Sequence, residues 1–204
     1  MPASRERLGP SAEVLHDDAA SLDSAARLLK VAEQCGGLNG LWLNAGFAQI
    51  GPLEELTAEC FDAMMAANVR GPALQLARLT PLLKPGASVV VTASSSAYEA
   101  APLVSAYAAS KGALLSMARC WAAALAPRQI RVNALVPGPI HTSFRDFLDE
   151  PAREQFEEAV IEQVALWRAG TAEEAAAVAL FLLSDDSAYV AGSQYAVDGG
   201  LLMR

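Results

Sequence analysis

The stretch ASVVVTASSS, Ala87–Ser96, places three valines in an unbroken run that ends in hydroxyl side chains. β-Branched residues favour extended backbone. A run that is apolar on both faces fits a strand buried on both faces, as in a parallel sheet. Working outward, the pattern repeats. Upstream, LNGLWLNAG (38–46) reads as a second strand. Between the two, TAECFDAMMAANVRGPALQLARLTPLLKPG (57–86) predicts one long helix, starting at a Thr-x-x-Cys turn and ending before Pro85-Gly86. Downstream, SAYAASKGALL (105–115) opens a helix running to about Pro127, followed by the strand IRVNALVPG, the helix TAEEAAAVALFLLSD and a last strand, GSQYAVDGG. Nearer the start, AEVLHDD (12–18) reads as a strand ending in acid, and SLDSAARLLKVAEQCGG (21–37) as a helix with a serine cap and a Gly-Gly stop. This alternation predicts an α/β fold: a single Rossmann-like domain over 1–204, with a parallel sheet covered by helices on both faces. Residues 1–11 are expected to be flexible.

Composition narrows the function. The 204 residues are 53% apolar with a net charge of -8, so a sizeable core is expected and disorder is not. Nothing basic is clustered to neutralise phosphates, which argues against nucleic acid and anionic membrane as partners. Cys35, Cys60 and Cys120 lack zinc-ligand spacing and read as buried thiols in a reducing cytoplasm. His16 and His141 stand apart from each other and from the cysteines, so no metal site is expected. No apolar run reaches membrane-spanning length, and MPASRERLGP lacks the apolar core of a signal peptide.

Candidate chemistry begins at Tyr107 and Lys111, four residues apart and therefore on one helix face. A neighbouring ammonium favours phenolate over phenol, which suits proton transfer to or from a carbinol near neutral pH. Ser94 follows the end of the ASVVVTAS strand, where strand and next helix can converge on one point outside the sheet. Ser95 and Ser96 read as loop or cap. Asn68 interrupts the apolar face of the long helix and needs partners if buried. Asn44-Ala45-Gly46 ends one strand, and Pro137-Gly138 with Thr142 follows another, at the carboxyl edge where open α/β sheets hold ligands. Between Pro139 and Gly170 the pattern loosens. Phe156, Val160, Val164 and Trp167 recur at near-helical spacing opposite glutamates, which fits either a packed surface helix or a substrate lid spanning 140–168.

The ordered set LNAG, NVRG, SSS, YAASK, VNALVPGPIHT and VDGG resembles the classical short-chain dehydrogenase/reductase family, over roughly Ala12 to Leu202. The resemblance implies an NAD- or NADP-dependent enzyme that interconverts a secondary alcohol and its carbonyl. It implies Tyr107 as acid/base, Lys111 lowering its pKa and holding the nicotinamide ribose, and Ser94 orienting the substrate oxygen. Asn68 would position a water linking Lys111 to solvent. Asn44, Ala45 and Gly46 would line the cofactor cleft, Asp18 would lie near the adenine, and Pro137, Gly138 and Thr142 would flank the nicotinamide. VDGG would serve the subunit interface and the sheet end, in a homodimer or homotetramer. The resemblance implies a small alcohol or carbonyl compound as substrate, and the apolar side of the lid hints at a hydrophobic one.

One family feature is missing from the sequence. No Gly-x-x-x-Gly-x-Gly turn occurs, and Met1 falls about where a second family strand ends. Such a turn holds the cofactor pyrophosphate with backbone amides. Losing about three charge-assisted contacts of roughly 1.5 kcal/mol each removes ~4–5 kcal/mol, or about a thousandfold in affinity. The missing strands also leave an empty slot beside LNGLWLNAG, into which AEVLHDD is expected to slide. Three explanations stand open: a start codon further upstream, a truncated relative acting as a binding or oligomerisation module, or a partner chain supplying the missing strands.

Overall fold

The computed structural model describes residues 8, 9, 11–143, 150 and 159–203. Its main sheet has four parallel strands in the order β1-β2-β3-β6: β1 (Leu38–Leu43), β2 (Leu83–Thr92), β3 (Arg131–Pro137) and β6 (Gln194–Val197). A two-residue parallel pair, β4 (Ile140–His141) and β5 (Gly170–Thr171), lies beyond β3. The helices are α1 (Ser24–Gln34), α2 (Ala58–Met65), α3 (Gly71–Leu79), α4 (Ser105–Leu125) and α5 (Ala172–Leu183).

The valine run explains the two layers. Val89 and Val91 turn to one face and pack with Leu115, Ala118 and Leu76 of α4 and α3. Val90 turns to the other and meets Ala179 and Leu182 of α5. All three valines are fully buried. This is the Rossmann-like α/β arrangement expected from the alternation of strands and helices.

Several local expectations hold. Thr57 caps α2 by accepting from Cys60 N at 3.2 Å. The structure adds a reciprocal capping box, Thr171 with Glu174, at the start of α5. Gly36 and Gly37 end α1 with φ of 69° and 99°, as a glycine stop requires.

Other expectations need correction. AEVLHDD forms no strand and does not slide beside β1, which stands at the sheet edge. The segment is tied to the helix layer instead. Asp17 accepts from the Ser24 hydroxyl and the Arg27 guanidinium, Arg70 reaches Ala20 O, and Ala19 O presses against Gly71. These contacts hold Asp17 below the usual carboxylate range, through Ser24 and Arg27, although partial burial opposes the shift. Serine does not cap α1: the capping position is Asp23, without a side-chain bond.

The long helix is not continuous. Five residues, Ala66–Arg70, widen into a π turn, in which Gly71 N donates to Ala66 O. Pro72 has no N–H to offer Asn68 O, so ordinary α bonding fails there. The helix also stops at Leu79, ahead of Pro81, and the chain joins the sheet from Leu83. Arg128 seals that exit by donating to Thr80 O and Leu83 O.

The cysteines are not buried: Cys35 and Cys120 are exposed and Cys60 is half-buried. Of the segment expected as a lid, 144–149 and 151–158, including Phe156, lie outside the described residues. Val160, Val164 and Trp167 do not share one helix face. Val164 is fully buried, whereas Trp167 is exposed with a φ of 54° and turns the chain. Among the described residues no helix is long and apolar enough to cross a membrane, and no cluster of ligating side chains could hold a metal.

Candidate active site

The carboxyl ends of β1, β2 and β3 open onto a cleft of about 520 Å3. Ser94 and Tyr107, on different elements, both line it, together with Lys111. Ser94 follows β2 and caps the short turn Ser95–Ala97, accepting from Ser96 N at 3.2 Å. Tyr107 and Lys111 project from the first turns of α4, as their spacing predicts. The Lys111 ammonium lies 5.7 Å from the centroid of the Tyr107 ring.

Lys111 is only 2% exposed. Burial pushes its pKa down to about 8, because desolvation disfavours the charged form. Its Nζ donates to Thr92 O at 2.9 Å. Thr92 is a node that the sequence did not announce. Its hydroxyl donates to Asn44 Oδ1 at 2.7 Å and accepts from Trp42 Nε1 at 2.9 Å, while its carbonyl holds Lys111. One threonine therefore orients both Asn44 and the ammonium.

Asn68 sits at the π turn, completely buried. Its Oδ1 accepts from Phe47 N at 2.7 Å, and its Nδ2 donates to Phe47 O at 2.8 Å and to Ser110 Oγ at 2.9 Å. Ser110 in turn donates to Tyr107 O at 2.7 Å. The amide thus joins the loop after β1 to the turn of α4 that carries Tyr107. Ser110 was also missed. Its only sequence signal is its position between Tyr107 and Lys111, on a helix whose buried face is broad.

Gly46 is required by close approach. A Cβ there would lie 3.2 Å from Lys111 Nζ and 3.7 Å from Asn68 Oδ1. Gly46→Ala is expected to displace the ammonium from the cleft wall. The displaced Lys111 should titrate closer to 10.5 than to 8. NMR titration of the labelled lysine side chain checks this, and an unmoved titration refutes it.

Of the residues singled out from the sequence, Asn44, Gly46, Ser94, Tyr107, Lys111, Pro137, Gly138 and Thr142 line the cleft. Asn68 is buried behind that surface, and Ala45 is exposed but does not line the cleft. Asp18 is not brought to the cleft: its carboxylate accepts from Ala20 N at 2.9 Å in a local turn. Leu201, from the carboxyl-terminal turn, lines the cleft without having been anticipated.

A parallel α/β sheet with a phenol, an ammonium and a hydroxyl at its carboxyl edge is a Rossmann-like arrangement. A family profile described as Enoyl-(Acyl carrier protein) reductase matches residues 3–202. Oxidoreductase asL5 of Sarocladium schorii is 35% identical over 205 residues, covering 98% of this chain and 81% of the relative. The crystal structure of a short-chain dehydrogenase/reductase from Brucella melitensis superposes with a TM-score of 0.91 at 32% identity, covering 98% of this chain and 81% of that one. A gluconate 5-dehydrogenase from Burkholderia cenocepacia, solved with NADP and tartrate, gives a TM-score of 0.84 at 26% identity, covering 92% and 74%. This chain belongs to the short-chain dehydrogenase/reductase family, whose members are NAD(P)-dependent oxidoreductases.

Proposed function

We propose that the cleft interconverts a secondary alcohol and its carbonyl with NAD or NADP, using Tyr107 as the acid/base. The observation that carries this reading is the convergence of Ser94, Tyr107 and Lys111 on one cleft from two different elements. The donor set fits a nicotinamide cofactor: a buried ammonium and a phenol face a space bordered by Asn44, Gly46, Pro137 and Thr142.

When bound, the cofactor supplies or accepts the hydride at the substrate carbon. The chain's own residues handle the proton. Tyr107 gives it to, or takes it from, the substrate oxygen. Ser94 accepts from Ser96 N, which leaves its hydroxyl proton free to be donated to the same substrate oxygen. An ammonium has three donors, and Thr92 O takes one of those on Lys111. One of the others would serve the cofactor's ribose, the third is left for a water, and the positive charge stabilises a phenolate that has lost its proton.

Asn68 acts in two ways. Its side chain fixes the Phe47 loop against α4. Its backbone carbonyl, to which Pro72 offers no N–H, would accept from a water linking Lys111 to solvent. Asn44 and Gly46 on one side, and Pro137, Gly138 and Thr142 on the other, would flank the cofactor.

Fluorescence titration of the 204-residue chain with NADH and NADPH tests the reading, since Trp42 stands on the cleft wall. Saturable binding by either supports the oxidoreductase. No binding up to millimolar concentration, alongside a stable oligomer, identifies a binding module instead.

A further inference from the structure

The chain's last described turn reaches back into the cleft. After β6 the backbone reverses at Gly199 and Gly200, with φ of 60° and 86°. Both glycines are wedged. A Cβ on Gly199 would lie 2.6 Å from Val164 Cγ1, and one on Gly200 would lie 2.8 Å from Ala165 Cβ. Leu166 N donates to Gly199 O at 3.0 Å. Asp198 braces the same turn: Oδ1 accepts from Gly200 N and Oδ2 from Leu202 N, both at 2.9 Å. The turn also abuts the end of β3, where a Cβ on Gly138 would meet Asp198 Cα at 2.8 Å.

The consequence falls on Leu201. It is 8% exposed and lines the cleft, whereas Met203, two residues on, is 80% exposed. Ile140 and Val160 line the same cleft, with Ile50 and Val104 contributed by the other half of the chain. A branched apolar side chain is thus held in the cleft by a left-handed glycine pair, a carboxylate brace and a backbone bond. The proton chemistry at Tyr107 requires none of these.

We propose that the Asp198–Leu201 hook sets the size of the substrate, with Leu201 limiting the length of an unbranched apolar group attached to the reacting carbonyl. This rests on the oxidoreductase reading above for the carbonyl itself. The physical basis is that an apolar pocket discriminates by about one to two orders of magnitude per methylene that fits or clashes. Removing the isobutyl group of Leu201 opens room in the cleft, and a larger ring closes it.

The test uses the full chain as wild type, Leu201→Ala and Leu201→Phe, with circular dichroism melts confirming that each is folded. The probes are straight-chain methyl ketones from 2-butanone to 2-decanone. Two quantities are read: ketone binding by saturation-transfer NMR, and kcat/KM from NADH and NADPH oxidation. Leu201→Ala is expected to raise the preference for the longest over the shortest ketone by about tenfold or more, and Leu201→Phe to lower it. A preference unchanged in both folded variants overturns the proposal. So does the absence of ketone binding by wild type. If no protein turns over but the binding preference moves with residue 201, the hook stands and the catalytic reading fails.

Discussion

Tyr107→Phe is expected to abolish NAD(P)-dependent turnover while leaving the fold in place. The loss should be about 10²–10⁴-fold in kcat, the usual weight of one positioned acid/base. The ring itself packs against Met64, Val104 and Ala106, and phenylalanine preserves that apolar contact. Only the phenolic oxygen disappears. Steady-state rates with NADH and NADPH, together with thermal melts, separate the two effects. Undiminished activity would remove Tyr107 from its role. A collapse in melting temperature would show that the phenol serves the fold instead.

Lys111→Met is expected to do the opposite to stability while also removing activity. At neutral pH the wild-type protein holds a charged ammonium in a site that is 2% exposed. A fall from the ordinary 10.5 to about 8 corresponds to roughly 3 kcal/mol of destabilisation below pH 8. The hydrogen bond to Thr92 O offsets about 1 kcal/mol of this. The methionine variant should therefore be more stable by about 2 kcal/mol at pH 7, or about 4–8 °C in melting temperature.

The difference has a definite pH dependence. Between about pH 8 and 10.5 the unfolded chain keeps the lysine proton that the folded chain has released. Wild-type stability attributable to this residue therefore rises across that window, and the gap to Lys111→Met closes. Urea denaturation of both proteins at pH 7 and at pH 10.5 measures it. A gap independent of pH would mean that Lys111 keeps its ordinary titration when folded. A gap that closes at high pH would show a site that sacrifices stability for a reactive group.

Much of this molecule could be read from short-range pattern. The strand ending at Thr92 was visible as a β-branched run. The Tyr107–Lys111 pair was visible because a spacing of four residues fixes a common helix face. The cap at Thr57 follows from which side chains can receive an amide proton in the first turn. Such features depend on neighbours within a few residues, so the order of residues contains them.

AEVLHDD shows the limit. Its apolar residues suit a strand, but β structure needs a partner elsewhere. Asp17 instead found its partner in Arg27, and Ala19 and Ala20 just beyond found theirs in Gly71 and Arg70. Asn68 was visible as an anomaly, yet its meaning was not. Pro72 breaks the helix bonding locally, and the resulting turn places the amide between Phe47 and Ser110.

Residue order alone thus contains the strand-and-helix alternation and the phenol–ammonium spacing, because both arise from local backbone geometry and side-chain period. The folded chain adds what depends on distant pieces meeting. Thr92 becomes the joint between Asn44 and Lys111 only because β1 and β2 lie side by side. Leu201 reaches the cleft only because the last turn wedges two glycines against residues 164 and 165. Contacts between segments remote along the chain leave no period to detect, so packing alone assigns them.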